Sequence, residues 1–347
     1  MKSYYLAILM VFGILWACRN DDNTAQLPID QPYHLALPSH FPAVQYALKD
    51  NPPTQYGVAL GKKLFYDGRL AKDNAVACAF CHIQENAFTH HGHSVSHGVE
   101  GREGIRNAPP IQNMIFLKRY MWDGSVTQLD MQPIIPISTH EEMDETIENI
   151  IIKIKDDTEY QRLFSIVYGD KNITAERILK SITQFMATLI SANSKYDRVI
   201  RHESEFTPEE AQGYAVFQNK CASCHTTALF TDESFRNTGI PYNPITQDEG
   251  RKRVTGKAED FLKFRVPSLR NVAYTAPYTH DGRFYTLKAL LDFYDSGMED
   301  QPNLDPEFRK YPGRVGIRLS EAEKQQLIKF LNTLSDPQFI SNPNFSE

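Results

Sequence analysis

The sequence predicts an all-α chain built from two similar units. Three observations carry this expectation: capped amphipathic stretches, no run of alternating apolar and polar residues, and a segment order that occurs twice. The chain has 347 residues, 41% hydrophobic and 23% charged, which is enough for two domains with a core each. Lys+Arg 37 against Asp+Glu 43 gives a net charge of -6, so a nucleic-acid binder with its basic surplus is disfavoured. With 18 Gly and 20 Pro and no biased tract, collagen-like and disordered chains are excluded.

Taken in order, residues 1–17 carry one Lys, no acid and an apolar run from Leu6 to Ala17, too short to span a bilayer. They read as a secretory signal. Leu15-Trp16-Ala17-Cys18 resembles a bacterial lipobox, so Cys18 is expected to be acylated; the alternative is a plain signal peptide. Residues 18–53 are polar and punctuated by proline, the composition of a tether. No other segment is long and apolar enough to cross a membrane, so the expected location is the periplasm, with a lipid anchor as the membrane contact.

The body follows as two units, residues 54–200 and 201–340. Met143, Ile147, Ile150, Ile151 and Ile154 form an apolar stripe, as do Ile178, Ile182, Phe185, Met186 and Leu189 after Thr174. Thr207-Pro208-Glu209-Glu210 is a capping box with Pro at the first helical position. Ser320-Glu321-Ala322-Glu323 opens a helix with Leu327, Phe330, Leu331 and Leu334 on one face. Between the helices, long loops are expected.

The order repeats. Ala59-Leu60-Gly61-Lys62-Lys63-Leu64-Phe65 corresponds to Ala211-Gln212-Gly213-Tyr214-Ala215-Val216-Phe217. Farther on, Ala108-Pro109-Pro110-Ile111-Gln112-Asn113-Met114 corresponds to Val266-Pro267-Ser268-Leu269-Arg270-Asn271-Val272. Trp122-Asp123-Gly124 and His280-Asp281-Gly282 then follow at the same spacing. Within each copy lies one pentad, Cys78-Ala-Phe-Cys81-His82 and Cys221-Ala-Ser-Cys224-His225. C-x-x-C-H is the attachment site of a c-type haem: two thiols add to the vinyl groups and the His supplies an axial nitrogen. A four-cysteine zinc site leaves both histidines without a role, and a C-x-x-C disulfide is a redox device rather than a staple. Two covalent haems are therefore expected, one per unit.

The copies differ where chemistry is decided. Continued without gaps, the alignment pairs Pro136 with Tyr294. Tyr294 offers a phenolic oxygen opposite His225, with Met298 one turn on as the rival ligand and a core aromatic as the plain alternative. Pro136 has no donor, so the His82 haem is expected to keep an open position, the mark of an enzyme rather than a carrier. Gln132 and Glu142 flank it; a carboxylate in an apolar pocket has the raised pKa a proton shuttle needs. His90, His91, His93 and His97 follow the first pentad as candidate distal ligands, a copper or zinc cluster, or a solvated loop.

Over roughly residues 54–335 the sequence resembles the bacterial di-haem cytochrome c peroxidases and their relative MauG. The resemblance implies two cytochrome c-like domains, each wrapped around one covalent haem. It makes the Cys78, Cys81 and His82 haem the peroxide-reacting one and the Cys221, Cys224 and His225 haem the electron-entry one. It places the inter-haem tryptophan on Trp122 and the catalytic glutamate on Glu142. It implies a calcium ion held by Asn107 and by the carbonyls of Thr275 and Pro277, oxygen ligands that suit a hard cation. Tyr294, Gln132 and Pro136 follow the MauG pattern, whereas His97 falls near the distal histidine of ordinary peroxidases. The expected function is a cytochrome-c-peroxidase-type enzyme reducing hydrogen peroxide with electrons from a periplasmic donor, a small cytochrome c or a copper protein, with a homodimer allowed. The alternatives are a MauG-like oxidase of a protein or small molecule, and a non-catalytic di-haem electron carrier.

Overall fold

The computed structural model describes residues 27–90 and 92–347; the expected signal segment, Cys18 and His91 lie outside the described residues. In chain order the helices are α1 (Gln55–Tyr66), α2 (Cys78–Cys81), α3 (Ile134–Ser138), α4 (Ile147–Ile154), α5 (Thr158–Tyr168), α6 (Ala175–Thr188), α7 (Lys195–Ile200), α8 (Pro208–Lys220), α9 (Lys252–Thr255), α10 (Leu287–Asp292), α11 (Glu321–Asn332) and α12 (Pro337–Ile340). One short antiparallel ribbon pairs β1 (Phe235–Arg236) with β2 (Phe264–Arg265). Two-residue strands are too short for a periodic signal to announce. No described helix is long and apolar enough to cross a membrane.

Local chemistry starts the main helices as expected. Thr207 with Glu210 and Ser320 with Glu323 close reciprocal capping boxes at α8 and α11. Thr54 and Thr174 cap α1 and α6 by accepting from the N–H groups of Gly57 and Arg177.

The sequence duplication is also a structural one. In the first unit α1 crosses α6, and in the second α8 crosses α11. Gly61 sits against the backbone carbonyl of Ser181, and Gly213 sits against that of Gln326. At either place a Cβ would overlap the oxygen, so only glycine lets the helices approach this closely. Beside each crossing an aromatic pair interlocks: Phe65 with Phe185 at 5.2 Å, and Phe217 with Phe330 at 4.9 Å. Each pair belongs to its own core, the first including Leu60, Leu64, Phe88 and Ile150, the second Phe230, Leu287, Leu291 and Leu327. Tyr120 bridges Val126 and Tyr278 bridges Phe284 at the same place in each copy.

Both ends of the body depart from the expected division. Part of the stretch expected as a tether, residues 30–53, is strapped to the body instead. Phe41 enters the first core, and Gln45 and Tyr46 donate their N–H groups to the carbonyl of Ile115. His40 Nε2 lies 2.8 Å from Asp197 Oδ1. The polar, proline-rich composition conceals this because a few anchoring side chains hold the whole strap. At the other end, Phe339 and Phe345 return to the first core and pack on Phe88. Conversely, Tyr196 of α7 packs against the second core.

Candidate active site

Each pentad turns its histidine in the same way. Cys78–Cys81 forms one helical turn, and Cys221 closes the C-terminus of α8. The N–H groups of His82 and His225 donate to the carbonyls of Cys78 and Cys221, each at 3.0 Å. His82 Nδ1 then donates to the carbonyl of Phe88 at 2.8 Å, and His225 Nδ1 to that of Phe230 at 3.0 Å. A carbonyl only accepts, so Nδ1 carries the proton and Nε2 keeps its lone pair for a metal. Burial keeps both rings neutral, pushing His82 down to about 4 and His225 in the same direction. Phe88 and Phe230 share a left-handed backbone, φ 59 and 56. Thr89 and Thr231, next in the chain, donate their hydroxyls to the carbonyls of Ala108 and Val266. The Phe-Thr pair that follows each pentad is legible in the sequence as an extension of the duplicated frame.

The four described cysteines are unpaired, with Cys78 against the first core and Cys221 against the second. This separation disposes of the single four-cysteine zinc site and of a bridge between the copies. A partly open cavity adjoins the second pentad, with Cys221, Cys224, His225 and Tyr294 in its wall and Leu287 and Leu291 among its apolar lining. Paired thiols, an imidazole nitrogen held for iron and an apolar slot are what a covalent haem requires, so the residues fit one here.

Tyr294 stands in a π-helical turn, Phe293–Gly297, that continues α10. Burial, with the two nearby thiols, holds its phenol well above the ordinary tyrosine value. Met298 does not line this cavity; it packs with Ile240, Phe293, Leu304 and Phe308.

Around the first pentad, Cys81 Sγ reaches the carbonyl of His97 at 3.5 Å, and the charge of Glu142 is felt at Cys81. Glu142 Oε1 accepts from the hydroxyl of Ser96 at 3.1 Å. Burial raises the Glu142 pKa, and the Ser96 bond opposes part of that rise. The chain just after Glu142 returns to α3, where the N–H of Met143 donates to the carbonyl of Pro136 at 3.2 Å. Gln132 reaches Met121 Sδ at 3.8 Å. Ser96 had no signal of its own in the sequence; it reaches Glu142 because its loop is bonded to the Glu142 segment by the N–H of Val99, 2.8 Å from the Glu142 carbonyl.

The His97 ring turns toward His93, 4.3 Å between centroids, with Nε2 3.9 Å from Glu103 Oε1. His90 stacks on His97 at 6.0 Å. Among the described residues no group of three or more His, Cys, Asp or Glu is arranged to hold a metal ion. The copper or zinc cluster that was one alternative for this loop is therefore not formed by His90, His93 and His97.

Three residues of the first unit complete the wall of the second cavity: Asn107, Pro110 and Trp122. The Trp122 indole donates to the Asn107 carbonyl at 2.8 Å, and the Asn107 N–H donates to the His280 carbonyl at 2.7 Å. Thr275 and Pro277 line the same cavity. Asn107 Nδ2 donates to the Ser94 carbonyl at 3.2 Å, which leaves its Oδ1 as the oxygen available to a cation. Arg106 clamps this junction by pairing with Asp123 at 2.6 Å in its own unit and with Asp248 at 2.6 Å across it.

Comparison with known proteins agrees with this architecture. Residues 55–205 match the di-haem cytochrome c peroxidase family, and residues 210–335 match cytochrome c. The methylamine utilization protein MauG of Methylophilus methylotrophus is 30% identical over 336 residues, covering 95% of this chain and 93% of that protein. The cytochrome c551 peroxidase of Nitrosomonas europaea is 31% identical over 283 residues, 80% of each chain. The crystal structure of a MauG-like protein associated with microbial copper homeostasis superposes with a TM-score of 0.80 at 30% identity, covering 90% of this chain and 99% of that one. Two haem-binding units with matched histidine supports, joined at Trp122, thus place this chain in the di-haem cytochrome c peroxidase and MauG family.

Proposed function

We propose that the protein is a di-haem c-type peroxidase that reduces hydrogen peroxide with electrons from a periplasmic donor protein. The observation that carries this reading is the asymmetry of the two sites. Tyr294 lines the second cavity, whereas the equivalent Pro136 has no donor side chain and is bonded through its carbonyl to Met143, the neighbour of a partly buried carboxyl, Glu142.

Cys78, Cys81 and His82 would hold one haem; Cys221, Cys224, His225 and Tyr294 would hold the other. When bound, the irons supply a coordination site for peroxide and the electrons that cleave its O–O bond. Glu142 is the proton carrier: its carboxylate takes a proton from the attacking peroxide oxygen and returns it to the departing one. Ser96 orients that carboxyl, and Gln132 supplies a second polar group. Trp122 is the aromatic contact between the units. Asn107 Oδ1 and the carbonyls of Thr275 and Pro277 would hold calcium. His97 is the candidate gate of the first site, and export with acylation at Cys18 would keep the enzyme at a membrane surface.

A second reading, MauG-like oxidation of a protein or small-molecule substrate, draws support from Tyr294 in the cavity wall with Met298 packed elsewhere. Stopped-flow mixing of the ferric holoprotein with stoichiometric peroxide, repeated after one-electron reduction, tests both readings. Reaction only after reduction supports the peroxidase with His97 as its gate. Fast reaction of the fully ferric protein supports the MauG-like reading. No reaction in either state would leave the electron-carrier alternative.

A further inference from the structure

Among the described residues, four lysines and arginines line the cavity beside Cys221 and His225: Lys220, Arg236, Arg265 and Lys310. Three of them are paired with carboxylates, Lys220 with Glu323 at 2.6 Å, Arg236 with Asp232 at 2.9 Å and Lys310 with Glu307 at 2.7 Å. Arg265 is different. Among the described residues its Nη1 is sealed from solvent without a hydrogen-bond acceptor, and its side chain makes one long bond, from Nε to the Met121 carbonyl at 3.5 Å. Glu233 is felt only at a distance, its Oε2 being taken by the N–H of Lys118 at 2.8 Å. Arg265 as a whole is half-buried, but a guanidinium nitrogen sealed from water without an acceptor is a costly arrangement for a protein to hold. Its position is nonetheless well determined. Arg265 lies on β2, paired with Phe235 of β1, and its N–H donates to the Trp122 carbonyl at 2.7 Å.

We propose that Arg265 is a carboxylate-binding residue, and that its ligand is a propionate of the haem carried on Cys221 and Cys224. The planar fork of the guanidinium suits a carboxylate in bidentate contact, and the cavity that Arg265 lines is the one that haem would fill. The inference rests on the two-haem reading of the pentads. It adds that the residue neutralising the haem's edge is one hydrogen bond from Trp122, so the charge of the second site and the position of the inter-unit aromatic are set by one short ribbon. A free carboxylate or other small anion has the same chemistry, and the experiment separates the two sources.

The test is spectroelectrochemical titration of the holoprotein and of the Arg265→Met and Arg265→Lys variants, after haem content is measured from the visible spectrum. Two haems per chain in the wild-type protein establish the reading on which the inference depends; fewer than two would overturn that reading and the propionate with it. With two haems present, Arg265→Met is expected to lower the reduction potential of one haem and leave the other unchanged, because a nearby cation favours the reduced state. Arg265→Lys, which keeps the charge, should stay near the wild-type value. If Arg265→Met loses the second haem, Arg265→Gln is titrated in its place. Unchanged potentials in the neutral variant overturn the proposal. A wild-type potential that moves with added acetate at constant ionic strength, and no longer does so in the neutral variant, assigns Arg265 to a diffusible anion and overturns the propionate.

Discussion

The indole N–H of Trp122 lies 2.8 Å from the backbone carbonyl of Asn107, and through that carbonyl's own residue it is tied to the second unit. Asn107 donates its N–H to His280, so an aromatic side chain of one unit is fixed in the cavity wall of the other. Trp122→Phe keeps most of the ring and removes the donor, leaving a buried carbonyl unpaired at about 1 kcal/mol. The expected result is a small drop in melting temperature with a loss of peroxide turnover of about tenfold or more, equal to about 1.4 kcal/mol of barrier. Turnover with a reduced donor, measured beside thermal melting, separates the two effects. Equal proportional losses would make Trp122 a packing residue only.

Glu142→Gln should fold normally, since an amide can still accept from Ser96, and should lose about 100-fold or more in turnover. The pH profile gives a second check. Burial raises the Glu142 pKa, so its carboxyl stays protonated to higher pH than an exposed one and cannot accept a proton there. The acid limb of the wild-type rate is therefore expected above the ordinary glutamate value of 4.5, and it should vanish in the variant.

Asp197 predicts how the fold fails in acid. Its side chain is buried, with Arg270 2.8 Å away and Ser194 and His40 as further partners. Desolvation alone would raise its pKa, but Arg270, Ser194 and His40 together outweigh it and lower the value from 3.8 to about 2. A lowered carboxylate pKa contributes stability that is complete above about pH 4 and is lost as pH falls through about 2, worth about 2 kcal/mol. Urea midpoints measured across that range should show the loss in the wild-type protein. Asp197→Asn should abolish it and cost about 3–5 kcal/mol at neutral pH, because Arg270 stays buried without its partner.

Gly61→Ala and Gly213→Ala should each destabilise by about 1–3 kcal/mol or more, because the new Cβ overlaps a carbonyl of the crossing helix. Each variant is expected to disturb the haem spectrum of its own unit first. A neutral effect at either site would mean that the crossing helices can separate without loss.

Ligation at the second site is expected to follow the cavity wall. Tyr294→Phe should change the ferric spectrum, and Met298→Leu should leave it as it was. A far-red Met–iron charge-transfer band that disappears in Met298→Leu would overturn Tyr294 as the ligand.

The sequence by itself determined the features that depend on neighbours in the chain: the two pentads, the capping boxes of α8 and α11, the glycines of the two helix crossings and the repeat that relates them. Thioether attachment needs its residues at a fixed short spacing, and a helix start is settled within one turn, so both can be read along the chain. The tertiary structure decided what depends on residues far apart in the chain. Tyr294 had Met298 as its rival one turn on; a π-helical turn places Tyr294 in the cavity wall and Met298 in an apolar cluster. Ser96 became the partner of Glu142, and the strap at residues 30–53 closed on Asp197, through contacts that no periodicity encodes. Arg265 looked like any other arginine in the sequence. It becomes distinctive only when the neighbouring cations are seen to have carboxylates and it does not, because whether a buried charge is satisfied depends on everything packed around it.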